Sequence, residues 1–221
     1  MLANIALSHK GFFGETTAII DRCIFESVIK LIWLCSKGDE QSFSIFIADG
    51  LKTELELKKK IEKNISIRNG NPLIIEARML TSIDNYISCS GLTETQIESS
   101  KKLPDLAAMI EDVGRDRLIY IVGQKIGSHY VHGTWPDLWK HYLEVKDGEF
   151  HLRDHDCPTH LNQYVFVPLF ILEVMDAFIK FICQDQEDAH NMTLLLVSVG
   201  KEIHRINIEV VGEDFEQIEE I

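Results

Sequence analysis

Between residues 14 and 35, apolar side chains fall on almost every side of a helical wheel: Ile19, Ile20, Cys23, Ile24, Phe25, Val28, Ile29, Leu31, Ile32 and Trp33. A helix that is apolar all round belongs at the centre of a bundle. The exceptions are Arg22, Glu26 and Lys30, spaced by four, which draw one narrow charged line down it. That line meets either solvent or a polar pocket on another element. Lys37-Gly38-Asp39 ends the helix, with glycine for a left-handed C-cap and aspartate to cap the next helix.

A second helix over residues 40–63 carries Phe43, Ile47, Leu51 and Leu55 on one face and mixed glutamate and lysine opposite, the pattern of an outer helix. Asn71-Pro72 predicts an N-cap and first turn for a third helix, which turns Leu73, Ala77, Leu80, Ile83 and Ile87 inward and stops near Ser90-Gly91. Thr93-Glu94-Thr95-Gln96 matches a capping box. Pro104 opens what reads as the longest helix, residues 104–132, on which Arg117, Ile121, Gln124, Ser128 and His132 share a line. If that line faces Arg22 and Glu26, the two polar stripes account for each other. Residues 142–152 then read as a small β-hairpin turned at Asp147-Gly148, with Trp135 and Trp139 anchoring it to the bundle. A further helix starts at Pro158-Thr159 and is kinked or restarted by Pro168, and residues 190–209 are read as helix rather than a second hairpin. The expected architecture is mainly α, a helical bundle with a small inserted β-hairpin near residues 142–152. It forms one domain over 1–211, with an acidic tail at 212–221 that frays.

Charge narrows the classes of function. Thirty-five acidic residues against 22 basic ones give a net charge of −13, a field that repels polyanions and disfavours non-specific binding to DNA. Lys58-Lys59-Lys60 lies among glutamates and reads as a solvated helix face. The five cysteines are scattered without a Cys-x-x-Cys pair, which points to a reducing, cytoplasmic setting. No secretory leader pattern is present, and the most apolar window, 164–183, holds Glu173, Asp176 and Lys180, so a core helix is expected there rather than a membrane span.

The stretch Ser128-His129-Tyr130-Val131-His132-Gly133-Thr134-Trp135, followed by the hairpin and a proline-started helix, resembles an uncharacterised family of bacterial helical proteins known only as a domain of unknown function. Arg22-Cys23-Ile24-Phe25-Glu26 resembles that family's Arg-x-x-x-Glu first helix, and the likeness spans roughly residues 15 to 185. The resemblance implies a bundle loosely similar to the HEPN superfamily of nucleotide-binding and ribonuclease domains. It also implies a possible homodimer and a stress or anti-phage setting. HEPN ribonucleases carry an arginine and a histidine four to six residues apart. Arg153 and His160, with six residues between them, fit that spacing formally, although Pro158 interrupts the segment.

Two constellations are therefore candidates for catalysis. The first is Arg22, Glu26, Ser128 and His132; the rival pair is Arg153 and His160. An imidazole beside a guanidinium can relay a proton while the cation stabilises a developing phosphorane, chemistry that suits metal-independent RNA cleavage. The other reading of the first set is a buried polar network that fixes helix register. His129, His132, His155, Cys157 and His160 include zinc-ligand types but complete no recognised spacing, so neither a metal nor another cofactor is expected. There is no Gly-x-Ser-x-Gly elbow and no glycine-rich phosphate loop. Whether the protein is an enzyme stays open. One reading is an RNA- or nucleotide-processing effector with an Arg/Glu/Ser/His pocket; the other is a non-catalytic protein-interaction module.

Overall fold

A computed structural model describes residues 14–153, 163–183 and 185–211. The protein is mainly α-helical, with one two-stranded antiparallel sheet among the described residues. Its chain divides into two compact units, Lys37–Asp105 and the remainder, Met1–Ser36 with Leu106–Ile221.

The smaller unit is built from α2 (Glu40–Ile67), α3 (Ile74–Ser90) and α4 (Glu94–Ser99). Asp39 caps α2 through Ser42, accepting from its backbone N–H at 2.7 Å and its hydroxyl at 2.9 Å. Ala48, Leu55, Ile61, Ile83 and Ile97 form the core of this unit. The start of α3 differs from expectation: its cap is Leu73, whose N–H donates to the Glu76 carboxylate, while Arg68 pairs with the same carboxylate. The carboxylate does the work expected of the Asn71 side chain, so the helix begins two residues later than Pro72. Gly91, with φ of 70°, ends α3, and the capping box at Thr93 and Gln96 forms as its sequence requires.

Lys58, Lys59 and Lys60 are matched by acids. Lys58 is largely covered and bridges Asp84 at 2.7 Å and Glu94 at 2.6 Å, tying three helices together; Lys59 pairs with Glu98 and Lys60 with Glu56. The hydrogen bonds to Asp84 and Glu94 push the Lys58 ammonium well above its usual range. Lys58 thus departs from the solvated face expected of it, because two carboxylates on neighbouring helices converge on its side chain.

The larger unit is organised on α1 (Gly14–Lys37), which buries Phe25, Val28, Ile29, Trp33 and Leu34. Met109 and Ile110 of α5 (Leu106–Asp112) are fully buried, and the Trp33 indole N–H donates to Asp112 at 2.7 Å. The single long helix expected over 104–132 is in fact interrupted. Gly114 adopts φ of 76° and breaks the chain after α5, and Asp116 caps a new helix by accepting from the Leu118 N–H at 2.6 Å. That helix runs as α6 (Arg117–Tyr120), a π-helical turn (Ile121–Ile126) and α7 (Gly127–His132). Beyond Gly133 come α8 (Trp135–Asp137), a second π-helical turn (Leu138–Tyr142) and the hairpin of β1 (Leu143–Lys146) and β2 (Glu149–Leu152).

The hairpin pairs Leu143 with Leu152 and Val145 with Phe150, and Asp147 and Gly148 take the two positive φ angles of its turn, 54° and 83°. Two long helices follow, α9 (Gln163–Ile182), containing Pro168, and α10 (Gln186–Val211), which extends the helix expected at 190–209 in both directions. They pack on one another through Asp176, which accepts from the Thr193 hydroxyl at 2.7 Å, and through Leu172 and Leu169 against Gly200. Phe170 meets Phe25 edge-on at 5.5 Å, and Arg115 pairs with Glu173. The expected helix start at Pro158 and the acidic tail at 212–221 lie outside the described residues.

Candidate functional site

The two polar stripes meet. Gly123 and Gly127, one turn apart, present no side chain to α1: a Cβ added to Gly123 would lie 2.7 Å from the Phe25 ring, and one on Gly127 would lie 3.2 Å from Arg22 Cβ. This close approach brings Gln124 to the charged line of α1. With its amide oriented as the surrounding donors and acceptors require, the Gln124 oxygen accepts from Arg22 Nε at 3.1 Å and from Nη2 at 3.0 Å. The other end of the amide is bonded to Glu26. Lys30 completes the row by donating to Glu26 Oε1 at 2.6 Å.

The electrostatics follow from this row. The Lys30 hydrogen bond holds the Glu26 carboxyl below its usual range against the opposing effect of partial burial, with the charges of Lys30 and Arg22 and the bond to Gln124 adding to the lowering. Glu26 is therefore a fixed anion near neutrality and a weak base, which suits it to holding Gln124 and Lys30 rather than to moving protons. Ser128 turns its hydroxyl back along its own helix and donates to the Gln124 carbonyl at 2.6 Å. His132, one turn further on, is exposed at the end of α7. Arg22, Glu26 and Ser128 thus converge on one residue, Gln124, which the sequence places on the same stripe. Arg117, at the start of that stripe, pairs instead with Glu111 at 3.5 Å.

The other histidine of the motif closes the helix end: His129 Nδ1 lies 2.6 Å from the Thr134 hydroxyl. Of the rival pair, Arg153 donates to the Lys140 carbonyl at 2.8 Å, and its backbone N–H reaches the Tyr142 carbonyl at 2.9 Å, so its side chain and backbone both seal the base of the hairpin. His160, with His155 and Cys157, lies outside the described residues. Among the described residues, no group of three or more His, Cys, Asp or Glu side chains could hold a metal ion.

Two features escaped the sequence reading. Asp137 and His141, four residues apart, are both buried, and the His141 ring lies 5.4 Å from that of Tyr130. The spacing was visible, but the segment read only as an anchor for the hairpin. The second feature is an open aromatic ledge. Trp135 and Trp139 stack at 6.0 Å, and Phe150 stands edge-on to both, at 5.9 and 6.2 Å. Phe150 shares a face of the hairpin with Leu143, Val145 and Leu152. The rings anchor the hairpin as expected, yet Trp135 remains 57% exposed, Phe150 61% and Leu152 84%. An apolar hairpin face covered on one side only by two tryptophans is an incomplete core.

A family model described as a family of unknown function, DUF5677, matches residues 1–150, about two thirds of the chain. The chain belongs to that family. No curated protein and no solved structure matches it. No helix among the described residues is long and apolar enough to cross a membrane.

Proposed function

We propose that this DUF5677 protein is a protein-interaction module whose Arg22–Gln124–Glu26–Lys30 row is structural and whose contact surface is the aromatic ledge. One observation carries the reading: Arg22, Glu26 and Ser128 are turned on Gln124, while Trp135, Trp139 and Phe150 pack on one another and are left open. Exposed tryptophan on a rigid support is the kind of residue that dominates binding energy in protein interfaces. The partner is a polypeptide presenting apolar side chains to the ledge. The free thiols of Cys23, Cys35, Cys89 and Cys183 fit a reducing compartment, and we place the protein in the bacterial cytoplasm.

Affinity capture from the source cells tests this, with wild type, the double variant Trp135→Ala/Trp139→Ala and His132→Ala compared by mass spectrometry. A partner recovered with wild type and His132→Ala but lost with the tryptophan variant is expected. Equal recovery by all three removes the ledge from the interface.

A second reading has its own observation. His132 presents its imidazole to solvent one turn beyond Ser128, where a ligand phosphate can reach it. In that reading the protein is a HEPN-like effector that processes RNA or a nucleotide without metal, in stress or anti-phage defence. Metal-free incubation with mixed cellular RNA separates the two. No cleavage is expected of the interaction module, and cleavage abolished by His132→Ala, with folding intact, establishes the effector.

A further inference from the structure

Helices α9 and α10 of the larger unit leave a second apolar surface, distinct from the ledge. Helix α9 is apolar on three sides. One side, with Leu169, Leu172 and Asp176, faces α10; another, with Phe170 and Glu173, faces Phe25 and Arg115. The third carries Met175, Phe178 and Ile182, which are 44%, 42% and 53% exposed. On α10, Thr193 and Gly200 mark the side turned to α9, and about a third of a turn round from them run Met192, Leu195 and Val199, which are 48%, 66% and 42% exposed. Because the helices are antiparallel, with Asp176 level with Thr193 and Leu172 level with Gly200, these two stripes fall on the same side of the pair and join into one face.

No charged residue interrupts either stripe, whereas the outermost side of α10 carries Ser198, Glu202, Arg205 and Glu209, with Arg205 paired to both glutamates. A surface helix ordinarily has one apolar stripe, and this hairpin has one more than its own packing uses.

We propose that this face docks a second copy of the same chain, two α9–α10 hairpins closing about a twofold axis into a four-helix bundle. A surface of uncharged apolar side chains is complementary to itself, as a twofold interface requires. It also sets no like charges directly opposite each other across the seam. The area suits the same occupant. With about half of each of six large side chains open, each copy contributes on the order of 500–600 Å², and a symmetric pair that covers all of it buries roughly 1,100 Å², above the threshold of about 1,000 Å² for a biological interface and at the small end of specific ones. This inference is independent of the proposed function: it rests on other residues, and its test uses purified protein alone.

The experiment is sedimentation equilibrium of the full chain over a hundredfold concentration range, with peroxide oxidation of Met175 and Met192 followed by mass spectrometry in the same samples. A dimer is expected, in which both methionines are oxidised several-fold more slowly than in the dilute monomer. Phe178→Glu and Leu195→Glu are each expected to give monomers of unchanged helical circular dichroism, while Ser198→Glu, on the outer side of α10, leaves the dimer intact. Where a glutamate variant fails to fold, the dilution dependence of methionine oxidation in wild type decides alone. A wild-type monomer at all concentrations overturns the proposal, whether its methionines are protected by the chain itself or freely oxidised. So does a dimer whose methionines react at the monomer rate.

Discussion

Two neighbouring stretches of the larger unit treat their side chains in opposite ways. Where α1 meets the π-helical turn and α7, four long polar residues, among them the candidate catalytic pair Arg22 and Glu26, are engaged with one another: Arg22 and Glu26 on Gln124, and Lys30 on Glu26. Beyond Gly133, the large apolar side chains of Trp135, Trp139 and Phe150, which a sequence reader would send to the core, remain about half exposed. The difference teaches that polarity alone does not locate a site. Polar groups brought together by two glycines satisfy each other and fix a register, whereas rings held without a cover retain free energy for a partner.

Breaking the closed contact should cost most. Phe25 is buried between Gly123 and Phe170, so Phe25→Ala should lower the unfolding free energy by about 3–5 kcal/mol in urea titrations. Next comes Gly123→Ala, whose new methyl group collides with the buried Phe25 ring and should destabilise by about 1–3 kcal/mol. Gly127→Ala is the milder change, since its methyl group meets Arg22 Cβ at 3.2 Å and asks that side chain to give by only a few tenths of an ångström. Acid sharpens the same contact. The folded-state pKa of Glu26 lies below its unfolded value, so its contribution is full above the ordinary carboxylate range of about 4–5 and is lost as pH falls through the depressed value. Glu26→Gln should therefore flatten part of the fall in melting temperature between about pH 5 and 3. At the open ledge, Trp135→Ala should change stability least, by about 1 kcal/mol or less, because more than half of the ring is already in water. A large loss there would erase the contrast.

How much of this was legible depends on what the residue types encode. The burial of α1 was readable only in part. Phe25, Val28, Ile29, Trp33 and Leu34 are covered as an apolar helix demands, but the helix is not enclosed on every side, since Ile19, Cys23, Ser27 and Leu31 form its exposed line while Arg22, Glu26 and Lys30 are half-buried. The meeting of the charged line with the stripe through Gln124 was readable, because the two polar stripes account for each other. The break at Gly114 was not, since a lone glycine inside an apolar period is compatible with helix and only its φ of 76° ends the run. The π-helical turns left no mark in the sequence either, because they change the spacing of hydrogen bonds and not the kind of residue. The pairing of Lys58 with two helices was hidden because both partners lie far along the chain. The openness of the ledge was hidden because tryptophan and phenylalanine look the same in sequence whether a core or a partner covers them.

The most direct measurement is a double-mutant cycle on unfolding free energy with Arg22→Ala, Gln124→Ala and the pair. If the row exists to hold α1 on the segment that runs into α7, the two changes should be coupled by about 1 kcal/mol or more, as for a buried-edge hydrogen bond to a charged group. The same three variants should leave the capture of the ledge's partner unchanged once folding is restored by lower temperature. Strict additivity, with partner capture or an RNA-cleaving activity lost in each single variant while the melting temperature holds, would contradict the account and return Arg22 to a functional site.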